Sequence, residues 1–235
     1  MHVRAFMEEM EQLAPPDLAE EFDAGRIGLV VEGRNNVGTV CCALDATPAV
    51  VESAVRAGAG MLVVHHTPLW TPVTAMTGST ASLMRSILSA HMNLYVMHTN
   101  YDHAPEGTND ALCELLALTN TVPMTLGCVG DCPLDTGEIA RRLACPVRVW
   151  GRIGNIKRLA VVAGSGFDPA LLDEAEQLDA SAFLSSEMKH SVARGARIPC
   201  IEATHYALEA PAMKRLAGRK GWIYVDDPPL VRSVP

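Results

Sequence analysis

Short apolar runs alternate with segments of helical period along nearly the whole chain. IGLVV (27–31) and GTVCCAL (38–44) read as strands rich in β-branched and apolar residues. Thr47-Pro48 then opens a helix, Thr as N-cap and Pro at the first helical position, whose apolar face is Val50, Val51, Ala54 and Val55. Gly58 and Gly60 end it, and a strand at 61–64 runs straight into His65 and His66. A helix over about 80–91 precedes a strand at 93–97 that runs into His98, and a further helix covers about 108–118. Residues 120–135 are irregular and rich in Pro, Gly and Cys, and serve as the candidate boundary. Beyond it the pattern predicts helices at 136–144, 169–178, 187–195 and 206–218, and strands at 147–149, 158–163, 182–185, 199–203 and 222–225.

Strands separated by helices of this length predict parallel pairing with right-handed crossovers. The fold class is α/β, a layered α/β/α sheet with helices on both faces, in two similar halves that divide as 1–125 and 126–235. No internal repeat, low-complexity tract or long charge run interrupts the pattern.

Composition narrows the picture. At 235 residues the chain can bury roughly 70% of its unfolded surface without staples. Hydrophobic residues at 49% and charged residues at 20% exclude a disordered chain. The net charge of −8 argues against nucleic-acid binding, which needs Lys and Arg to displace counterions from phosphates. Glu8, Glu9 and Glu11 fall where a signal peptide would be apolar, and no apolar run reaches the roughly 20 residues of a membrane span, so a cytoplasmic protein without membrane contact is expected. Seven cysteines, with none in a Cys-x-x-Cys pair, make a poor disulfide framework and a poor thiolate zinc site. Reduced, mostly buried thiols are expected.

Chemistry gathers in three groups, each directly after an apolar strand. The first is His65-His66, followed by Thr67-Pro68; the second is His98-x3-Asp102; the third is His205-x3-Glu209. Ligands in open α/β sheets collect at the carboxyl ends of strands, where all three groups fall. Adjacent imidazoles on a continuing strand point to opposite faces, whereas a turn at Thr67-Pro68 lets both reach one cavity. His98 and Asp102 converge on one ion if the chain turns helically there, and His205 and Glu209 share a helix face. Any of the pairs alone also fits a solvated helix or a strand cap. Together, His65, His66, Asp102, His205 and Glu209 exceed the three protein ligands of a catalytic zinc and point to two divalent ions, with zinc, manganese and ferrous iron all suited to the donor mix. Gly164-Ser165-Gly166 fits a tight turn or a phosphate loop, and Glu187 with His190 fits a pocket wall or a surface ion pair.

Whole blocks of the chain resemble a known family. LDATPAVVESAVRAGAGMLVVHHTPLW, HTNYDHAPEGTNDAL and THYALEAPAMKRLA look like signature blocks of the YbgI family, whose eukaryotic members are the Ngg-interacting-factor-three-like proteins. Asp23 with IGLVVEG, GRIGNIKRLAVVAGSG and SSEMKH resemble further blocks in the same order. The family also carries the name GTP cyclohydrolase 1 type 2 homologue. The resemblance implies two similar α/β subdomains, a two-metal site between them and a toroidal homohexamer. It places the metal ligands on His65, His66, Asp102, His205 and Glu209, with His98 close by. Thr67 stands before Pro68 where the family has Pro directly after the His pair, Thr204 stands where Gly is common, and Ser185-Ser186-Glu187 stands for Thr-Gly-Glu. None of these departures removes a ligand.

Two functional classes follow. One is a dinuclear metal-dependent hydrolase acting on a nucleotide or similar small molecule, GTP ring opening being what the family name implies; here the metals make a nucleophile from water near neutral pH and His98 or Glu187 moves protons. The other is a non-catalytic metal-handling protein or ring-shaped scaffold.

Overall fold

A computed structural model describes residues 1–231. Two compact units account for the chain: Met1–Pro105 together with the chain from Met213 onward, and Glu106–Ala212.

The first unit begins with α1 (Val3–Leu13), which buries Val3, Phe6 and Met10. Its sheet is built from β1 (Gly28–Val31), β2 (Val40–Asp45), β3 (Met61–His66), β4 (Asn93–Val96) and, from the chain's end, β11 (Ile223–Tyr224), in the order β1-β4-β3-β2-β11. The helices α2 (Pro48–Arg56), α3 (Gly78–Ser89) and α4 (Thr99–His103) lie between these strands in sequence. The Thr47 hydroxyl accepts from the Val50 amide and Pro48 sits at the first position of α2, as the sequence predicts. Alternation along the strands sends Cys41, Ala43, Leu62, Val64, Leu94 and Val96 to one face, where they pack with Val50, Val51 and Ala54 of α2 and Met84 and Ile87 of α3. On the other face the Phe6 ring meets Tyr95 edge-on at 6.0 Å and Trp222 at 5.6 Å.

The second unit holds α5 (Thr108–Leu115), β5 (Thr119–Pro123), β6 (Cys128–Asp131), α6 (Thr136–Arg142), β7 (Arg148–Trp150), β8 (Arg158–Val161), α7 (Pro169–Gln177), β9 (Ala182–Ser185), α8 (His190–Gly195), β10 (Cys200–Glu202) and the start of α9 (His205–Lys220). Its strand order is β5-β6-β8-β9-β10-β7. Leu159, Val161, Leu184 and Ile201 pack with Leu112, Ile139 and Leu208 on one face; Ala160, Val162 and Phe183 pack with Leu172, Ala175 and Val192 on the other. A sheet buried on both faces needs continuous apolar strands, which explains why AFLS (182–185) carries no polar alternation.

The layered α/β architecture matches the pattern in the sequence, with four corrections. The sheets are mixed: β1 runs antiparallel to β4, β5 and β6 pair antiparallel with each other, β6 with β8, and β7 with β10. Residues 120–135, expected to be irregular, contribute β5 and β6. Cys113 and Cys128 are joined in a disulfide, where reduced thiols were expected, because α5 packs against β6 and brings the two together. Cys41, Cys42, Cys132 and Cys200 are free and buried. The units also differ from an expected division after residue 125: the helix at 108–115 packs on β6 and β8, and β11 adds to the first sheet. Among the described residues no helix is long and apolar enough to cross a membrane.

Candidate metal centre

In the first unit β3 continues through both histidines, so Thr67-Pro68 does not begin the turn until after His66. His65 is fully buried and His66 half-buried, yet their ring centroids lie only 4.9 Å apart. Each ring is held from behind. His65 Nδ1 donates to the Met97 carbonyl oxygen at 2.7 Å. His66 Nδ1 meets Asp45 Oδ1 at 2.7 Å, across the parallel pairing that sets Asp45 of β2 beside His66 of β3. Such outer partners fix tautomer and ring orientation and make the other nitrogen the donor toward a metal.

His98 follows the same rule. Its Nδ1 lies 2.9 and 2.8 Å from the two carboxylate oxygens of Asp23, and its ring centroid is 5.0 Å from that of His65. Asp23 is fully buried and also accepts from the Thr99 amide and hydroxyl. Burial alone pushes this carboxyl up; the hydrogen bonds from Thr99 and His98, with the imidazole's charge, outweigh it and hold it below its ordinary value. The chain does turn helically after His98: the Asp102 amide donates to the His98 carbonyl at 3.2 Å, and Asp102 Oδ1 lies 3.5 Å from His65 Nε2. His65, His66 and His98 each offer one nitrogen to a group whose members all lie within 4.8 Å of one another. Three imidazoles with a carboxylate at hand form a donor set that zinc, ferrous iron or manganese accepts.

In the second unit His205 begins α9 and Glu209 lies one turn on, with Nε2 and Oε2 2.9 Å apart. Glu209 is buried. The other nitrogen of His205, Nδ1, meets Glu187 Oε1 at 2.8 Å. Glu187 adopts a left-handed backbone (φ 64°) that non-glycine residues rarely take, a strain that commonly marks a functional position. It pairs with His205, while His190 starts α8 as an exposed residue.

Gly164-Ser165-Gly166 lies behind this pair. Gly164 has φ 69°, and a Cβ there would run into the Glu209 carboxylate and crowd His205 Nε2. Its carbonyl accepts from the Ser185 and Ser186 hydroxyls at 2.8 and 2.7 Å. The segment is thus a tight turn that leaves room for the His205–Glu209 pair, and the Gly166 amide, which an anion cradle would use, donates to the Ser185 hydroxyl at 2.7 Å. Gly164→Ala is expected to cost about 1–2 kcal/mol in backbone strain and to displace Glu209, so that thermal melting drops and the purified variant retains less metal. Full metal retention would contradict this.

Asp45 and the Thr99 hydroxyl are the site groups that the sequence pattern does not single out. Asp45 ends an apolar strand just as His66 does, which is the signal that could have singled it out.

The fold and these donors define a class of α/β chains that set histidines and carboxylates at the carboxyl ends of core strands. The profile of the Duf34/NIF3 (NGG1p interacting factor 3) family matches residues 1–220, and the chain belongs to that family. A relative from Pyrococcus abyssi, named GTP cyclohydrolase 1 type 2 homolog, is 34% identical over 213 residues, covering 83% of this chain and 84% of its own. One of the same name from Methanocaldococcus jannaschii is 29% identical over 230 residues, covering 92% and 93%. Among solved structures, ybgI superposes with a TM-score of 0.87 at 23% identity over 97% of this chain and 99% of its own. Reduced HcgD from Methanocaldococcus jannaschii gives 0.82 at 27% identity over 95% and 96%.

Proposed function

We propose that this protein is a metal-dependent hydrolase that holds two divalent ions through His65, His66, Asp102, His205 and Glu209 and acts on a nucleotide or similar small molecule. The observation that carries the reading is the convergence of His65, His66 and His98, each with its Nδ1 held from behind. Three imidazoles so arranged have no role in packing that a leucine would not fill better. Divalent ions bound there would supply Lewis acidity and a nucleophile from water near neutral pH. The chain's own residues do the rest. Asp45 and the Met97 carbonyl orient His66 and His65; Glu187 orients His205. Asp23 fixes the proton on His98 Nδ1, which leaves Nε2 to take up or release a proton beside the substrate. The name GTP cyclohydrolase 1 type 2 homolog, borne by relatives about 30% identical, supports a nucleotide as substrate.

A screen of nucleotides and phosphoesters with the metal-reconstituted protein tests this, with Glu209→Ala as control. Turnover that disappears in the variant supports the hydrolase. Metal passed to an acceptor protein without turnover of any substrate would replace it with a metal-handling role. By the same family membership we propose a toroidal homohexamer, since symmetric homo-oligomers dominate among soluble assemblies. Light scattering should return six chains per particle, and a monomer across micromolar concentrations would contradict it.

A further inference from the structure

Beside the first unit's histidines lies a cleft of about 540 Å³, within the range of small-molecule sites. One wall is the stretch after Gly25 that runs into β1, with Arg26, Ile27 and Leu29; the other is the segment after β3, with Leu69, Trp70 and Val73. Trp70 belongs to both features. It lines the cleft, and its ring stands edge-on to the His98 ring at a centroid distance of 5.1 Å. Trp70 remains 43% exposed, an unusual state for so large an apolar ring inside a concave site. Arg26 ties the walls together, its Nε donating to the Trp70 carbonyl oxygen at 2.7 Å. No carboxylate pairs with this guanidinium among the described residues, although acidic side chains outnumber basic ones in the chain.

An exposed indole, aliphatic side walls and one guanidinium without a carboxylate partner are complementary to a flat ring that carries an anion. Aromatic faces stack heteroaromatic rings with little dependence on their identity, and the terminal nitrogens of an arginine fork match phosphate geometry. We infer that this cleft binds a planar heteroaromatic ring bearing a phosphate, the chemistry of a mononucleotide, with the ring on Trp70 and the phosphate on Arg26. The ring is thereby held against the indole that stands edge-on to His98. This deepens the hydrolase reading and rests on it for the reacting centre, so binding and metal content are measured separately.

The experiment is isothermal titration of the metal-loaded full chain with GMP, guanosine and ribose 5-phosphate. Wild type is compared with Trp70→Leu, Trp70→Phe, Arg26→Gln and Arg26→Lys, and the metal content of every preparation is determined. Trp70→Leu should weaken GMP about 5- to 150-fold, the span that loss of one base–aromatic stack covers, and leave ribose 5-phosphate unchanged. Trp70→Phe should restore most of the GMP affinity. Arg26→Gln should weaken GMP and ribose 5-phosphate but spare guanosine, with Arg26→Lys intermediate. Equal GMP affinity in all five proteins, or no saturable binding by wild type, overturns the inference; so does a change of oligomeric state in Trp70→Leu without any GMP binding, which would make the cleft a contact between copies. The GMP pattern in a protein that binds no metal would uphold the cleft and defeat the hydrolase reading, whereas full metal content without the pattern does the reverse.

Discussion

His98→Ala is expected to lower turnover by about 10²–10⁴-fold, the usual cost of a lost acid–base group, while most of the metal stays bound. The expectation comes from the way the ring is held. Both oxygens of Asp23 face Nδ1, so the proton there is fixed and only Nε2 is left for exchange. The ring adjoins His65 and His66, with centroids 5.0 and 5.6 Å away. Asp102→Ala, by contrast, should lose metal and turnover together, because its carboxylate sits 3.5 Å from His65 Nε2. Elemental analysis and turnover measured on the same His98→Ala preparation decide the point. Metal lost in proportion to activity would make His98 a third imidazole ligand and not the proton carrier.

The largest effect on stability is expected at Asp23. Asp23→Ala strands the Thr99 amide, the Thr99 hydroxyl and His98 Nδ1 in a region where Asp23 itself is fully buried. Orphaned buried donors cost about 1–3 kcal/mol each when water cannot reach them, so a loss of about 3 kcal/mol is a fair expectation. For a chain of this size that lowers the melting temperature by about 6–12 °C. The sign of the pH dependence follows from the carboxyl's lowered value: its contribution is complete above the ordinary value of 3.8 and disappears as pH falls through the folded-state value below it. Acid titration of wild type and variant should therefore converge at low pH and separate above about pH 4. A variant that melts with wild type at pH 7 would contradict the buried-network account.

Much of this arrangement was legible along the chain, and the unread part has a common cause. Apolar strands that lead to His65, His98 and His205 stand out because a core run followed by an imidazole is a local signal. The strand at 182–185 was read residue for residue, since both its faces are buried and its pattern is unbroken. α1 is hard to see in the sequence because only Val3, Phe6 and Met10 of its eleven residues are buried, a stripe broken by Glu8, Glu9 and Glu11. β5 is exposed at all five residues and β6 contains Gly130, so neither shows the alternation or apolar run that marks a strand. The antiparallel partners of β1, β6 and β7 depend on contacts far apart in sequence. So do the carboxylates behind the histidines: Asp45 lies 21 residues from His66 and Asp23 lies 75 from His98, distances over which no spacing rule operates.

The count of bound metal tests the central claim most directly. After reconstitution with zinc, ferrous iron or manganese and removal of excess ion, elemental analysis of wild type should return close to two ions per chain. His65→Ala and His205→Ala, one from each donor set, should each lower that count by at least one. A wild type that saturates at one ion or fewer, with both variants unchanged, would contradict the two-metal account.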